Sequence, residues 1–427
     1  MNRRALVFVC LAAAMSGCNP DLQDIFGTST GTGTGAAGGE GGAGAATAST
    51  GGSQGGGGAT GGTTTTTTAS TGGTGGDCDP SNPNGDQDGD GYTPAQGDCD
   101  DCAAEINPNA LEIPGGGDEN CNGMTNDSLV PCDEPIVVDT LSPVEAAAAM
   151  DICKVSKGEK DWGISGAVWS LPDGSPIPPN AEQAFHIGHG VLPDFGPQVP
   201  PRAGKRVLAI SSGTARTPED PGYQSIQGYS KGYTSAPAPG FPKETSSCGG
   251  AVTGSPNDAT ALNLALRVPS NVHGFSYDFS FYAADFPSFV CTAYNDTFFA
   301  LFEPLIPGQP DKNIAYDEMG NPITLNGAHF RACACDDGPC MAGNKTYPCP
   351  LGDLPLLGTG FDAASSGSDR GATGWLTTTV PVEPGSNLSL RWGVYDAGDA
   401  SYDSTVIMDN WKWITEPDVA YGTKISQ

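Results

Sequence analysis

The chain has 427 residues, with 49 acidic against 19 basic side chains and a net charge of −30. So acidic a chain lacks the clustered Lys and Arg that phosphate binding requires, which argues against nucleic acid and favours divalent cations as partners. Glycine supplies 62 residues, many gathered in one tract near the N-terminus, so the folded part is well short of the full length.

The first segment reads as an export signal. Arg3 and Arg4 give a positive start, and Ala5 to Ala14 is apolar but too short for a bilayer span, which takes about 20 residues. Met15-Ser16-Gly17-Cys18 follows. Two small residues before a cysteine suit cleavage by a lipoprotein signal peptidase, and the segment resembles a lipobox with Met15 in place of the commoner Leu. Residues 1–17 are therefore expected to be a signal peptide, and Cys18 the lipidated residue that tethers an exported chain to a membrane. No other stretch is apolar enough for a transmembrane helix. Asn19 lacks the charge of the Asp that retains some lipoproteins at the inner membrane, which favours the outer membrane or cell surface.

Residues 18–76 read as a disordered Gly/Thr linker. From residue 27 the tract is almost wholly Gly, Thr, Ala and Ser, with six consecutive threonines. No apolar periodicity offsets the entropy of ordering it. As a random coil of ~50 residues it reaches ~40 Å.

Of fourteen cysteines, Cys10 leaves with the signal and Cys18 carries lipid; six of the rest lie between Cys78 and Cys153 and six between Cys248 and Cys349. An even number in an exported chain predicts disulfides, although spacing alone does not give their pairing. The rival reading of Cys333, Cys335, Cys340 and Cys349 is a zinc site.

Residues 77–132 form a small acidic, disulfide-rich module. Asp86, Asp88 and Asp90 alternate and are followed by Gly91. A tight loop points such side chains at one centre, the glycine permits the turn, and the carbonyl of Tyr92 faces inward as well. That is the start of an EF-hand-type calcium loop. Position 12 is Gly97 rather than Glu and no helical pattern flanks it, so it is no EF-hand. The missing ligand is expected among Asp98, Asp100 and Asp101. A second copy, Asp118, Asn120, Asn122 and Gly123 with Asp127 behind, follows at an offset of 32 residues. Its amides carry no charge, which makes it the weaker or more structural of the two. Numerous hard oxygens favour Ca2+ over zinc.

Residues 86–127 resemble the metal-binding motif of the family named after a copper-binding outer-membrane protein of methanotrophs, and also thrombospondin type 3 calcium repeats. The carriers are Asp88-x-Asp90-Gly91-Tyr92, Asp98-Cys99-Asp100-Asp101, Ile106-Asn107-Pro108, Glu112-Ile113 and Asn120-Cys121-Asn122-Gly123. Where the family often has Cys after the Glu-Ile pair, this chain has Pro114, with Cys102 the candidate replacement. No Met/His/Cys cluster of copper type is present in the module.

Residues 133–420 form the large domain. Ser142-Pro143-Val144-Glu145 predicts a helix start, with Ser142 as N-cap, Pro143 at N1 and Glu145 closing a capping box. The period then becomes two. Leu262, Leu264, Leu266 and Val268 alternate with polar or small residues, as do Phe275, Tyr277, Phe279 and Phe281, and Leu388, Leu390, Trp392 and Val394. Stretches 205–211, 296–303, 375–381 and 404–414 also read as strands. Half-buried strands between Gly/Pro/Asn turns predict a mainly β fold, an antiparallel β-sandwich of jelly-roll type, with 215–257 and 333–349 as insertions.

This region resembles the choice-of-anchor L domain of bacterial surface proteins. The carriers are Gly204 to Gly213, Asp258-Ala259, Phe279-x-Phe281-x-Ala-Ala-Asp285-Phe-Pro-x-Phe289-Val-Cys291, Asn295-Asp296-x-Phe298-Phe299, and Asp396-Ala-Gly-Asp399-x-x-Tyr402-Asp403-Ser404. Where the family commonly has Ser-Glu-Glu-Tyr, this chain has Ala283-Ala284-Asp285-Phe286, so two polar side chains are missing. Asn295, Asp296, Asp396, Asp399 and Asp403 are oxygen-rich residues at strand ends, suited either to calcium or to plain loop hydrogen bonding. His186-Ile-Gly-His189 has helix-face spacing, but its glycines predict a loop. No nucleophile-elbow, zincin or phosphate-loop motif appears.

The whole reads as a non-catalytic surface lipoprotein with calcium-stabilised modules, for adhesion to a surface glycan or protein or for display. The rivals are an extracellular glycan or peptide hydrolase using a carboxylate pair, and a metal scavenger or sensor.

Overall fold

The computed structural model describes residues 78, 81–127, 131–251, 253–333, 335, 339–362 and 370–426. The expected signal peptide, Cys18 and the linker lie outside the described residues.

Two antiparallel sheets carry the fold. The first has the order β1 (Gly163–Ser170), β4 (Pro256–Arg267), β12 (Asn387–Ala397), β6 (Thr297–Glu303). The second runs β14 (Gly422–Ile425), β11 (Leu376–Pro381), β5 (Gly274–Ala283), β13 (Ser404–Ile414), β3 (Val207–Ser211), β2 (His189–Leu192). The two-residue β7 (Ala332–Cys333) and β10 (Gly371–Ala372) extend it beside the end of β5, and β8 (Cys340–Ala342) pairs with β9 (Lys345–Tyr347) as a separate hairpin.

The period-two side chains meet between the sheets. Leu262, Leu264 and Leu266 of β4, Leu390, Trp392 and Val394 of β12, and Phe275, Tyr277, Phe279 and Phe281 of β5 share one buried core. This is the expected sandwich, since each sheet hides its apolar face against the other. The expectation of half-buried strands needs correction, because the outer faces are covered too. Phe241 and Ala238 lie over Ala259, Ala261, Phe299 and Tyr395. Phe195, Leu356 and Phe361 lie over Val207, Ala209, Tyr282 and Ile407. The long insertions therefore act as second-layer cover. Polar residues at outward positions become buried and must find partners; Asn263 donates to Ser170 Oγ at 2.7 Å and accepts from Arg391 Nε.

The helix Pro143–Ala148 starts at the expected N-cap, with the Glu145 N–H donating to Ser142 Oγ at 3.2 Å, but the box does not close, since the Ser142 N–H donates to Thr140 Oγ1 and Thr140 Oγ1 to the Glu145 carboxylate. Its alanines are buried in the core. Ser142→Ala should cost about 1 kcal/mol, measured as a lower denaturation midpoint; an unchanged midpoint would mean that the cap contributes nothing.

All twelve cysteines from Cys78 onward are disulfide-bonded. The pairs include Cys99–Cys121, Cys132–Cys153, Cys248–Cys291, Cys333–Cys349 and Cys335–Cys340. Cys333, Cys340 and Cys349 do bring their sulfurs within 4.8 Å of one another. With those sulfurs committed to disulfides, no thiolate is left for zinc, which overturns that rival reading.

The acidic segment is docked on the sandwich through asparagines. Asn271 exchanges two 2.8 Å hydrogen bonds with the backbone of Leu111. Asn109 Oδ1 accepts from the Trp162 N–H at 2.8 Å, and Asn107 Oδ1 from Ser270 Oγ at 2.7 Å. The Ile106-Asn107-Pro108 motif thus serves attachment.

Candidate metal centre

The first acidic loop folds around the carboxylate of Asp86. Its oxygens accept from the N–H groups of Gly89 at 2.7 Å and Gly91 at 3.1 Å. Gly91 has φ +92°, a left-handed conformation that glycine adopts without strain. Asp88 accepts from the Asp90 N–H at 3.2 Å and Asp90 from the Tyr92 N–H at 2.7 Å, each through Oδ1. The second oxygens of Asp88, Asp90 and Asp98 are buried with no partner.

Carboxylate oxygens of Asp86, Asp88 and Asp90 lie within 4.8 Å of one another, and so do those of Asp88, Asp98 and Asp101. Asp88 belongs to both sets. Asp98 and Asp101 are buried, whereas Asp100 is exposed. Of the three acids beyond position 12, two converge on the loop and Asp100 does not. Tyr92 directs its hydroxyl to the Lys160 carbonyl at 3.4 Å.

The electrostatics are those of a site short of positive charge. Burial first, then the charges of Asp98, Asp86 and Asp101, raise the Asp88 carboxyl. Burial, then Asp88, Asp98 and Asp86, push Asp90 up to about 6 against the lowering hydrogen bond from Tyr92. Clustered, partly buried carboxylates with unpartnered oxygens fit a hard cation with several oxygen ligands, as calcium is.

The second loop repeats the hydrogen-bond pattern at the 32-residue offset. Asp118 accepts from the N–H groups of Asn122 at 3.0 Å and Gly123 at 2.8 Å. Asn122 N–H donates to Asn120 Oδ1 at 3.2 Å and Met124 N–H to Asn122 Oδ1 at 2.8 Å. The centre differs. Asn120 and Asn122 donate their side-chain amides to Asp127 at 3.0 and 2.7 Å. Glu112 braces the loop from outside, accepting from the N–H groups of Asn120 and Asn126. Amide hydrogens thus satisfy Asp127, so this loop closes upon itself. Next to it a groove of about 820 Å³ is lined by Asn120, Asp127, Lys154, Trp162, Trp411 and Trp413, among others.

Among the sandwich residues, Asp296, Asp396 and Asp403 come together, Asp399 lies at their margin within reach of Asp285, and Asn295 is engaged elsewhere. Asn295 Oδ1 accepts from the Asn326 N–H at 2.8 Å, a loop-fixing role. Asp399 is exposed and accepts from the Ser401 N–H at 3.1 Å. Asp285, which sequence reasoning did not place among the ligands, joins the inner group. Burial and then the charge of Asp296 push Asp285 up to about 10. Burial also raises Asp396 and Asp403, reinforced by Asp296 in both cases and opposed at Asp403 by Lys231. The four residues lie far apart in sequence, so no local motif could have assembled them.

His186 and His189 form a pair, the first half-buried and the second buried. His186 ends the helix Glu182–His186 and His189 opens β2, so the glycine-based expectation of a loop fails at both ends. His186 Nδ1 and His189 Nε2 are 2.7 Å apart, and His189 stacks on Trp169 at 3.9 Å. Burial, then the charges of His186, Arg216 and Lys231, hold His189 well below its ordinary range.

A third acidic group adds to the response to pH. Asp409 is pushed up to about 7 by burial, against the N–H groups of Arg202 and Asn410 and with help from Asp151. Asp151 is pushed up to about 6 by burial and then by Asp133. Both folded values lie above the ordinary carboxyl value of 3.8. Their contribution is therefore fully present below pH 3.8 and is lost progressively as pH rises from there through about 6–7. Calcium-free protein should lose melting temperature between about pH 4 and pH 7, with a shallower slope in Asp409→Asn. A parallel slope in that variant would contradict the assignment.

Residues 208–411 match the family model of the Choice-of-anchor L domain. The match covers both sheets from β3 to β13 and supports the reading of the C-terminal domain; a domain of this kind points to an exported, cell-surface protein. No curated protein and no solved structure matches the chain. No helix among the described residues is long and apolar enough to cross a membrane.

Proposed function

We propose that this chain is a non-catalytic surface-display lipoprotein: lipidated at Cys18, raised on the 18–76 linker, and ending in a β-sandwich braced by a calcium-binding loop. The observation that carries the calcium role is the set of buried, unpartnered oxygens on Asp88, Asp90 and Asp98. Asp86, Asp88, Asp90, Asp98 and Asp101 would hold the ion. Bound calcium supplies the positive charge that lets these carboxylates share one small volume. The second loop, closed by Asp127, needs no ion to hold its shape. Twelve oxidised cysteines suit a chain that folds outside the cytoplasm.

Surface anchoring is tested directly on the full chain. Wild type should fractionate with membranes, and protease added to intact cells should release the sandwich. Cys18→Ala should move the protein to the soluble exported fraction. A variant that stays membrane-bound, or a sandwich that protease cannot reach, would overturn the anchored display role. Turnover of a glycan or peptide substrate that Asp296→Asn abolishes would favour the hydrolase instead. Against that reading, Asp296, Asp396 and Asp403 are each about 1 % exposed, too enclosed for a polymer.

A further inference from the structure

We propose that Asp285, Asp296, Asp396 and Asp403 form a second divalent-cation site, of calcium type, that ties the ends of strands from both sheets together inside the sandwich. Asp296 immediately precedes β6 and Asp396 lies near the end of β12, both in the first sheet. Asp285 follows β5 and Asp403 precedes β13, both in the second. A cation shared by the four joins the sheets at one end, where loops rather than the apolar core hold them.

Asp403 keeps both oxygens buried without a hydrogen-bond partner; those of Asp396 make no well-formed hydrogen bond, although the Ser212 hydroxyl lies near enough to favour its charge, and each residue is 1 % exposed. Leaving a carboxylate so enclosed is costly unless its charge is met. The bases nearby meet it only in part. Lys231 Nζ donates to the Ser211 carbonyl at 2.9 Å and Thr260 Oγ1 at 2.7 Å, and acts on Asp396 and Asp403 through its charge. Arg370 acts on Asp285. Asp258, a further acid behind Lys231, has its oxygens taken by Ser230, the Lys231 N–H and Tyr233. Four inner carboxylates thus face two bases, a shortfall that a divalent cation fills.

Two further features fit. Asp296 is held in place by the Ala397 N–H at 3.0 Å and Ser404 Oγ at 2.7 Å, contacts from both sheets. A Cβ on Gly213 would lie 1.9 Å from Asp403 Oδ2, so the backbone is bare where that carboxylate sits. The oxygens are spaced more widely than in the acidic loop, which holds the carboxylate triplets that fall within 4.8 Å among the described residues. Holding one ion requires the four side chains to move inward.

The site stands on residues separate from the acidic loops, and the test keeps the two apart. Calcium is counted on the refolded, chelator-stripped mature protein by equilibrium dialysis with calcium alone. A variant carrying Asp90→Asn and Asp118→Asn, which disables both loops, should retain one bound calcium per chain. Asp396→Asn with Asp403→Asn should lose one calcium relative to wild type. That variant should also melt in chelator at or above the wild-type temperature, because like charges have been removed. No calcium on the loop variant, with wild-type stoichiometry and an unchanged calcium-dependent melting shift in the buried variant, would overturn the proposal. Failure of the loop reading would show separately, as a loop variant that binds as much calcium as wild type. If the buried variant does not fold, the calcium left on the loop variant decides.

Discussion

Removing calcium from the mature protein should lower its melting temperature by about 5–10 °C, and adding calcium back should restore it. Extracellular calcium modules bind with Kd on the order of 10⁻⁴ M. At a hundredfold excess over such a Kd, one site that is present only in the folded state contributes about 2.7 kcal/mol. A domain of this size shifts by roughly 2–4 °C per kcal/mol. The effect arises because Asp88, Asp90 and Asp98 keep buried, unpartnered oxygens in a loop whose neighbouring charges are of the same sign. Magnesium should restore less, since it demands a tighter octahedron and gives up water reluctantly. Superimposable melting curves with and without chelator would contradict the calcium role.

Trp392→Ala should be the most damaging single core substitution considered, at about 3–5 kcal/mol. Trp392 is fully buried on β12 and reaches across to the other sheet. Its ring meets Tyr277 of β5 edge-on at 5.7 Å and Trp411 of β13 at 6.4 Å. Truncation removes both contacts and leaves a cavity where the two sheets meet. The surrounding rings are held by their own strands, so the space closes only in part. Trp413→Ala is the control: that ring touches Phe275 and Trp411 but is itself partly exposed, so its loss should be smaller. Equal losses for the two variants in chemical denaturation would show that Trp392 is not the cross-sheet plug.

Strand positions were legible where one face had to be apolar. Leu262, Leu264 and Leu266, and Phe275 to Phe281, declare their period because every second side chain enters one core. Strand β1, Gly163–Ser170, escaped because its burial follows no simple alternation and a bulge breaks its register between Ile164 and Gly166. Short β2 is buried at all four residues and carries no alternation. The acidic loop was legible because carboxylates that meet around one centre from a short stretch must recur at fixed spacing. The buried carboxylates were legible only in part. Asp296, Asp396 and Asp403 stood out as acids at strand ends, but their convergence with Asp285 depends on how two sheets pack, which no local pattern encodes. Asn107 and Asn109 sat inside a metal-binding motif, yet their partners are Ser270 and Trp162, far along the chain.

The most direct test of the calcium-braced loop is a calcium-binding isotherm of the mature protein beside that of Asp90→Asn. Asp90 lies in the loop and one of its oxygens is buried without a partner. The expected result is the loss of one site from the variant, with its disulfides and β-sheet spectrum unchanged. An isotherm identical to wild type would contradict the account.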